Sequence, residues 1–178
     1  MAAGPLVNRF LRETVQVEIR PWGHDDLTFI TELFESYVAS ERSRAPRLAL
    51  PPDFSSKYIP KLTEDVRTKS GIMLVAEVDG ERAGFIAVLP QESPRPWDES
   101  SGKSCLIWEL HVDPRYRRQG IARRLLRTAE SHFVAAGFDW ISLGVFASNS
   151  TARRLYEAEG FRDSYSFMGK RLGEETRG

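Results

Sequence analysis

The sequence has one cysteine, three histidines and no net charge, and each of these shortages excludes a class of protein. The single thiol, Cys105, cannot form a disulfide within the chain, which favours a reducing compartment and predicts a cytoplasmic location. The 25 basic residues balance the 25 acidic ones, whereas a general nucleic-acid binder is usually basic. The histidines, His24, His111 and His132, are scattered without metal-ligand spacing, so we expect no metal site.

Long hydrophobic runs are missing as well. No apolar stretch reaches the roughly 20 residues that a membrane-spanning helix needs. The first thirteen residues mix charged side chains with a few apolar ones and have no signal-peptide core. We therefore expect no membrane partner.

The chain of 178 residues, 41% of them hydrophobic, has the length and composition of one compact domain. Apolar periodicity predicts strands at 15–20, 72–78, 83–89, 105–112 and 140–146, and helices at 25–40, 54–70, 120–136 and 149–159. Pro60 is expected to interrupt the second helix, and a final strand or hairpin is expected within 161–172. The pattern predicts one α+β domain with a mixed sheet over residues 14–173, between tails at 1–13 and 174–178.

The zero net charge hides one basic segment. Six arginines and no acid lie between Pro114 and Ala129, namely Arg115, Arg117, Arg118, Arg123, Arg124 and Arg127. The predicted strand at 105–112 runs through a turn into the helix that opens near Gly120. The start of a helix exposes unpaired N–H groups and binds phosphate, and arginines add charge-assisted hydrogen bonds. The segment fits a polyphosphate site, and it equally fits a solvent-exposed helix face with a glycine in its turn.

The same segment resembles the pyrophosphate-binding motif of the GNAT superfamily of acetyl-CoA-dependent N-acetyltransferases, Q/R-x-x-G-x-G/A, which stands here as Arg117-x-x-Gly120-x-Ala122. A second stretch, from Asn149 to Phe161, resembles the family block N-x-x-A-x-x-L-Y-x-x-x-G-F. The resemblance implies acetyl transfer from acetyl-CoA, as cosubstrate, to a primary amine of a small molecule or protein. It also implies a three-layer, α/β-like α+β domain. Its mixed, mostly antiparallel sheet has six to seven strands and is flanked by about four helices, in a monomer or homodimer.

The resemblance further implies which residues hold acetyl-CoA. The main chain through Leu110, His111 and Val112 pairs with the pantetheine arm as a strand does. The pyrophosphate is held around Arg117, Arg118, Gln119, Gly120, Ile121 and Ala122. Asn149 and Tyr156 contact the cosubstrate where two central strands separate.

Two catalytic residues follow from the same resemblance. Tyr156 lies near the thioester sulfur and can protonate the departing thiolate, while a backbone N–H near Leu110 stabilises the carbonyl oxygen. Without the resemblance, Tyr156 reads as a core residue of a short helix. Glu109 is the candidate base. Strict alternation places it on one face with Ile107 and His111, and its alternative reading is a solvent-facing glutamate that attracts a cation.

The acceptor is not readable from the sequence. The loops at 41–60 and 90–103 are expected to shape its site, with the acids Asp53, Glu92, Asp98 and Glu99 and the aromatics Phe54, Tyr58 and Trp97. Such residues can hold an organic cation, although any protein surface carries them. Some family members that modify protein N-termini place a glutamate where this chain has Gly144. The lack of that glutamate weakens the assignment of a protein N-terminus as the acceptor. The competing functions are a non-catalytic acyl-CoA sensor and, with less support, a nucleic-acid module using the arginines.

Overall fold

The computed structural model of the protein describes residues 16–42, 51, 53–91, 102–166 and 168. These residues form one sheet with helices on both faces. The strands are β1 (Val17–Pro21), β2 (Ile72–Val78), β3 (Glu81–Pro90), β4 (Lys103–Val112) and β5 (Phe138–Leu143). The helices are α1 (Leu27–Arg42), α2 (Phe54–Thr68), α3 (Ile121–Ala135) and α4 (Ser150–Ala158). None of the helices in these ranges is long and apolar enough to cross a membrane.

The five strands lie side by side in chain order. Strands β1 to β4 pair antiparallel, and β5 runs parallel to β4, so the sheet is mixed. The predicted hairpin between β2 and β3 is confirmed, with Asp79 and Gly80 both at positive φ, as a tight two-residue turn requires.

The expectation of six to seven strands is corrected to five among the described residues. Residues 161–166, where a final strand or hairpin was expected, carry no strand. Side-chain contacts tie this segment to α4 instead, since Arg153 pairs with Asp163 at 2.7 Å and Arg162 donates to the Glu157 carbonyl at 3.4 Å. The rest of the expected hairpin, apart from Met168, lies outside the described residues, as do the predicted tails at 1–13 and 174–178.

Two apolar layers cover the sheet. The layer under α1 and α2 contains Ile30, Phe34, Ile59, Leu62, Val75 and Phe85 among its buried residues. The layer under α3 contains Ile86, Val88, Ile107, Ile121, Leu125 and Leu126. The helical spacing of apolar residues in α1 and α3 accounts for both layers, because each helix buries one stripe against the sheet.

Helix α2 runs through Pro60 without a break, contrary to expectation. A proline inside a helix removes one backbone hydrogen bond and costs roughly 3 kcal/mol. Its neighbours Ile59, Leu62 and Val66 are 5% exposed or less and lie in the layer under α1 and α2. Their packing holds the helix together across the missing hydrogen bond, which local propensity alone does not predict.

Strand β4 contains one extra residue that changes which way its side chains point. Ala87 pairs with Glu109 and the next residue, Val88, pairs with Ile107, so Trp108 is the inserted residue of a β-bulge. Ile107 therefore faces the layer under α3, whereas Glu109 and His111 face α1 and α2. The expectation that Ile107 shares a face with Glu109 and His111 is thus wrong.

A buried ion-pair network fixes the other edge of the sheet. The Asp26 carboxylate, 2% exposed, accepts hydrogen bonds from Arg20 of β1 at 2.7 Å and from Arg82 of β3 at 2.6 Å. Arg20 also reaches Glu77 of β2 at 2.6 Å. The paired guanidinium of Arg20 holds the pKa of Asp26 well below its usual range, against the opposing effect of burial. The network joins β1, β2 and β3 to the start of α1.

Candidate active site

The last two strands of the described sheet, β4 and β5, separate halfway along β4. Parallel pairing with β5 begins at Lys103 and Phe138 and stops at Ile107 and Leu143. In the described structure, the remaining stretch of β4, from Trp108 to Val112, has no strand neighbour on that side. The sheet is therefore open between these two strands, and the edge of β4 there is available for pairing with an extended molecule.

The loop after β4 leads to the uncapped start of α3. Asp113 closes a short 3₁₀ turn by accepting a hydrogen bond from the Arg115 amide at 2.8 Å. Arg118 and Gly120 follow at φ +66° and +78°. No side chain caps α3, and the first helical hydrogen bond runs from the Arg124 amide to the Gly120 carbonyl at 3.0 Å. The N–H groups before Arg124 are thus free of helical acceptors.

Open space surrounds the start of α3. A Cβ atom built on Gly120 meets no heavy atom within 4 Å. Ile121 is buried in the layer under α3, so it can offer a ligand only its amide. The uncapped amides and the positive end of the helix dipole make this space suited to an anion.

Four of the six arginines are engaged within the protein. Arg115 contacts Asp113 at 2.8 Å, Arg117 donates to the Val112 carbonyl at 3.0 Å, and Arg123 and Arg127 contact Glu159, the residue after α4, at 2.5 and 2.8 Å. Arg118 and Arg124 are exposed and have no side-chain partner among the residues that the structure describes. Among the described residues, the basic segment therefore offers a ligand two unengaged guanidinium groups, those of Arg118 and Arg124, which flank the start of α3.

The Glu109 carboxylate is held by two side chains from different elements. The Tyr58 hydroxyl of α2 donates to Oε1 at 2.7 Å, and His111 Nε2 lies 2.5 Å from Oε2. The side chains of Glu109 and His111 are only 12% and 8% exposed. Burial and the charge of Glu109 raise the pKa of Tyr58, which keeps its hydroxyl protonated as a donor. The alternative reading of Glu109 as a solvent-facing glutamate does not fit this burial.

Aromatic rings enclose this cluster. The His111 ring lies 4.4 Å from Tyr37 and 5.2 Å from Phe85, measured between ring centroids. Tyr58 stacks against Phe34, at 5.0 Å, and against Phe54, at 5.1 Å, and these two rings lie 6.2 Å from each other. The rings fix the orientation of the histidine and the tyrosine that contact Glu109.

Tyr156 of α4 lies on the other face of the sheet. Its half-buried ring packs with the layer under α3 and meets Phe161 edge-on at 5.7 Å. Burial, with a smaller contribution from the charge of Glu109, raises the pKa of Tyr156 to about 12. The phenol is therefore protonated at neutral pH, and it is close enough to respond to a carboxylate across the sheet.

Asn149 occupies the N-cap of α4. Its Oδ1 accepts a hydrogen bond from the Ala152 amide at 3.2 Å. This contact gives Asn149 a structural role at the end of the segment that leaves β5. Its side-chain NH₂ group has no partner within the described residues.

The structure brings several of the predicted site residues to the opening between β4 and β5, whereas others lie outside the described residues. Glu109, Leu110, His111 and Val112 line the unpaired stretch of β4, and the loop from Arg117 to Ala122 follows it. The contact between Tyr58 and Glu109 was not predicted, because the two residues are 51 positions apart and no local pattern relates them. Of the residues expected to shape the acceptor site, Glu92, Trp97, Asp98 and Glu99 lie outside the described residues.

Comparison with known proteins identifies a family over most of the chain. The profile of the Acetyltransferase (GNAT) family matches residues 30–161. An acetyltransferase of Sodalis glossinidius, SG1711, is 30% identical over 161 residues, covering 89% of this chain and 98% of that protein. The N-acetyltransferase YycN of Bacillus subtilis, itself uncharacterised, is 34% identical over 74 residues, or 42% of this chain and 47% of that one.

Solved structures share the fold. A tetramutant of the BH1408 protein of Bacillus halodurans superposes with a TM-score of 0.75 at 21% identity, over 87% of this chain and 99% of that one. The aminoglycoside N-acetyltransferase AAC(6')-Iy, solved with CoA, gives a TM-score of 0.65 at 17% identity, over 90% and 97% of the two chains.

Proposed function

The chain belongs to the GNAT family of acetyltransferases, and on that premise we propose that it moves the acetyl group of acetyl-CoA to a primary amine by direct attack. The acceptor is an amine of a small molecule or a protein. The observation that carries the proposal is the opening between β4 and β5, with Glu109 on one face of the sheet and Tyr156 on the other.

The residues around the opening suit acetyl-CoA. The unpaired edge from Leu110 to Val112, where the Val112 carbonyl accepts from Arg117 and keeps a second lone pair, can hydrogen-bond the amides of the pantetheine arm as a neighbouring strand does. The uncapped amides at the start of α3, with Arg118 and Arg124, receive the pyrophosphate. Acetyl-CoA supplies an activated acyl group attached to a good leaving group. No metal ion is required by this arrangement.

The two ionisable groups divide the proton transfers between them. An acceptor amine is an ammonium ion at neutral pH, and Glu109 takes its proton, directly or through a water molecule. The nitrogen lone pair attacks the acetyl carbon, and a backbone N–H of β4 near Leu110 stabilises the charge that develops on oxygen. As the carbon–sulfur bond breaks, the Tyr156 hydroxyl gives its proton to sulfur, and the second proton of the nitrogen restores the phenol as the amide forms. A phenol with a pKa of about 12 holds that proton until it is needed.

A screen of primary amines with acetyl-CoA tests the proposal. Free thiol release that depends on both enzyme and amine, with acetylated product seen by mass spectrometry, is the expected result. Tight binding of acetyl-CoA without product from any amine supports the non-catalytic sensor instead. The engagement of four arginines within the fold disfavours the nucleic-acid reading, which needs a basic surface.

The location and the assembly belong to the same proposal. Cys105 is buried and its thiol has a pKa raised to about 12 by desolvation and the charge of Glu130, so it stays unreactive. The single cysteine, inert in this position, is consistent with a cytoplasmic protein. We expect a monomer or homodimer.

A further inference from the structure

We propose that Tyr58 and His111 are positioning residues that together hold the Glu109 carboxylate in the orientation that accepts the proton of the substrate amine. The inference rests on the proposed acetyl transfer and assigns a shared role to two side chains that touch neither the acetyl group nor the cosubstrate.

Both oxygens of Glu109 are fixed, one by each neighbour. The Tyr58 hydroxyl donates to Oε1 at 2.7 Å. A separation of 2.5 Å between His111 Nε2 and Glu109 Oε2 requires a hydrogen atom between them, so an ionised Glu109 accepts from Nε2–H. Two donors on two oxygens fix the plane of the carboxylate and leave one lone pair on each oxygen for the substrate.

The cluster has no evident purpose in folding. Burying a carboxylate costs several kcal/mol unless it is fully hydrogen-bonded, and an apolar side chain at this position of β4 avoids that cost. Glu109 pairs across the sheet with Ala87, a buried small residue of the layer under α1 and α2. The strand contains a β-bulge at Trp108, and strict alternation of the same residues without the bulge would turn Glu109 to the face of Ile107.

The aromatic rings make the arrangement rigid. Tyr58 is stacked against Phe34 and Phe54, and His111 is packed against Tyr37 and Phe85. The titratable groups that face Glu109 are thus His111 on its own strand, Tyr58 from α2 and, through the opening, Tyr156 from α4. Tyr37 from α1 faces His111.

Tyr58 and His111, the two positioning residues, neither gain nor lose a proton during the reaction. The ammonium N–H bond breaks and an O–H bond forms on Glu109. The carbon–nitrogen bond forms, the carbon–sulfur bond breaks, and sulfur takes the Tyr156 proton. The nitrogen then loses its second proton to the Tyr156 phenolate, Glu109 releases its proton to solvent, and Tyr58 and His111 keep theirs throughout.

Two variants test this role with an amine identified by the screen. Tyr58→Phe removes only the hydroxyl and keeps the stacking, and His111→Gln removes the imidazole. With an ammonium acceptor, we expect kcat to fall about tenfold to a hundredfold, as for a misplaced catalytic group, with the KM for acetyl-CoA unchanged. With an amine of low basicity, uncharged at the assay pH, the loss should be much smaller, because no proton has to be removed before attack.

Matched controls separate this effect from a general disturbance. Thr68→Val removes an exposed hydroxyl from the same helix, α2, and His132→Gln replaces an exposed histidine of α3. Both are expected to keep wild-type kcat with either acceptor. If His111→Gln does not fold, the kinetics of Tyr58→Phe alone decide whether the positioning role stands.

The outcomes also separate this inference from the proposed function. Product from the wild-type enzyme with unchanged kcat in both variants, or an equal loss with both kinds of amine, overturns the positioning role alone. A screen without any product overturns the proposed function and this role with it. In the enzyme by itself, a downfield imidazole N–H resonance that disappears in Glu109→Gln is expected, and its absence in the wild type also overturns the role.

Discussion

Glu109 and Tyr156 lie beside the opening between β4 and β5. They lie on opposite faces, yet the charge of Glu109 contributes to the raised pKa of Tyr156. A continuous sheet would place paired backbone between them. The separation of β4 from β5 therefore allows the proposed proton acceptor to lie on one face of the sheet and the proposed proton donor on the other.

Replacing Tyr156 with phenylalanine tests the second of these roles. The ring keeps its edge-on packing with Phe161, so we expect the fold to persist. Turnover should fall about a hundredfold or more, because general acid catalysis contributes roughly 10²–10⁴ in rate. Calorimetry should show acetyl-CoA binding within about twofold of wild type. Unchanged turnover would return Tyr156 to the list of ordinary core residues.

The arginines of the basic segment should differ in their effect on binding. Arg118→Ala and Arg124→Ala should each weaken acetyl-CoA binding about threefold to tenfold at low salt, with a smaller effect at high salt, because each removes a free guanidinium beside the pyrophosphate. Arg127→Ala is the control, since that side chain is occupied by Glu159. A short acetyl thioester that lacks the pyrophosphate should bind equally well to the wild type and to all three variants. Equal losses of acetyl-CoA affinity in the three variants would contradict the placement of Arg118 and Arg124 beside the pyrophosphate.

Helix α3 carries a glycine at positive φ near each end, and the two positions allow a matched comparison. Gly120 precedes the helix at φ +78° and Gly137 follows it at φ +79°, and a Cβ on either meets nothing within 4 Å. Valine at either position strains the backbone by about 1–3 kcal/mol, so both variants should unfold at lower temperature.

Only one end of α3 should matter for binding. Gly120→Val places a side chain where the pyrophosphate is proposed to lie, and acetyl-CoA affinity should fall at least tenfold. Gly137→Val should bind as the wild type does. Similar affinities in the two variants, measured by calorimetry on protein that remains folded, would place the phosphate site elsewhere.

Most elements could be predicted from the sequence because their signals are local. The spacing of apolar residues located α1 and α3, and Asp79-Gly80 located the hairpin. Local patterns do not report tertiary packing, so the unbroken course of α2 through Pro60 was missed. They also do not show which arginines have partners, since Arg123 and Arg127 find Glu159 only after α3 and α4 come together.

The candidate site was predictable only in part for the same reason. Motif resemblance pointed to Tyr156, Gly120 and Asn149 by position, and the tests above address their roles. Periodicity correctly placed His111 on the same face as Glu109 but wrongly placed Ile107 there, because a single inserted residue in β4 leaves no trace in composition. The contact with Tyr58 depends on how α2 packs over the sheet, which the sequence does not state.

At the scale of the whole molecule, the Asp26 network predicts a dependence of stability on acid. Because the folded protein holds the pKa of Asp26 below its unfolded value of about 3.9, the network stabilises the fold fully above that pH. The contribution is lost as the pH falls below about 4 toward the folded value.

Asp26→Asn should therefore lower the free energy of unfolding by about 2–4 kcal/mol at pH 7, since it leaves Arg20 and Arg82 without their shared buried partner. The difference from wild type should shrink as the pH is lowered below about 4 in urea titrations. Asp25→Asn is the control, since Asp25 is exposed and offers Arg82 only its backbone carbonyl. A difference that stays constant down to pH 2 would contradict the role of Asp26.

The inserted Trp108 also affects how this chain should be aligned with others. A relative that lacks the insertion must carry its acid one position nearer to the start of the strand, or turn it toward α3. In a sequence alignment, a gap misplaced by one position would match Glu109 to a core aliphatic residue. The relative would then be read as lacking the proposed catalytic carboxylate. Trp108 is 49% exposed although it lies on an inner strand, and it marks the position of the insertion. The acids of related chains can be compared once this position is aligned.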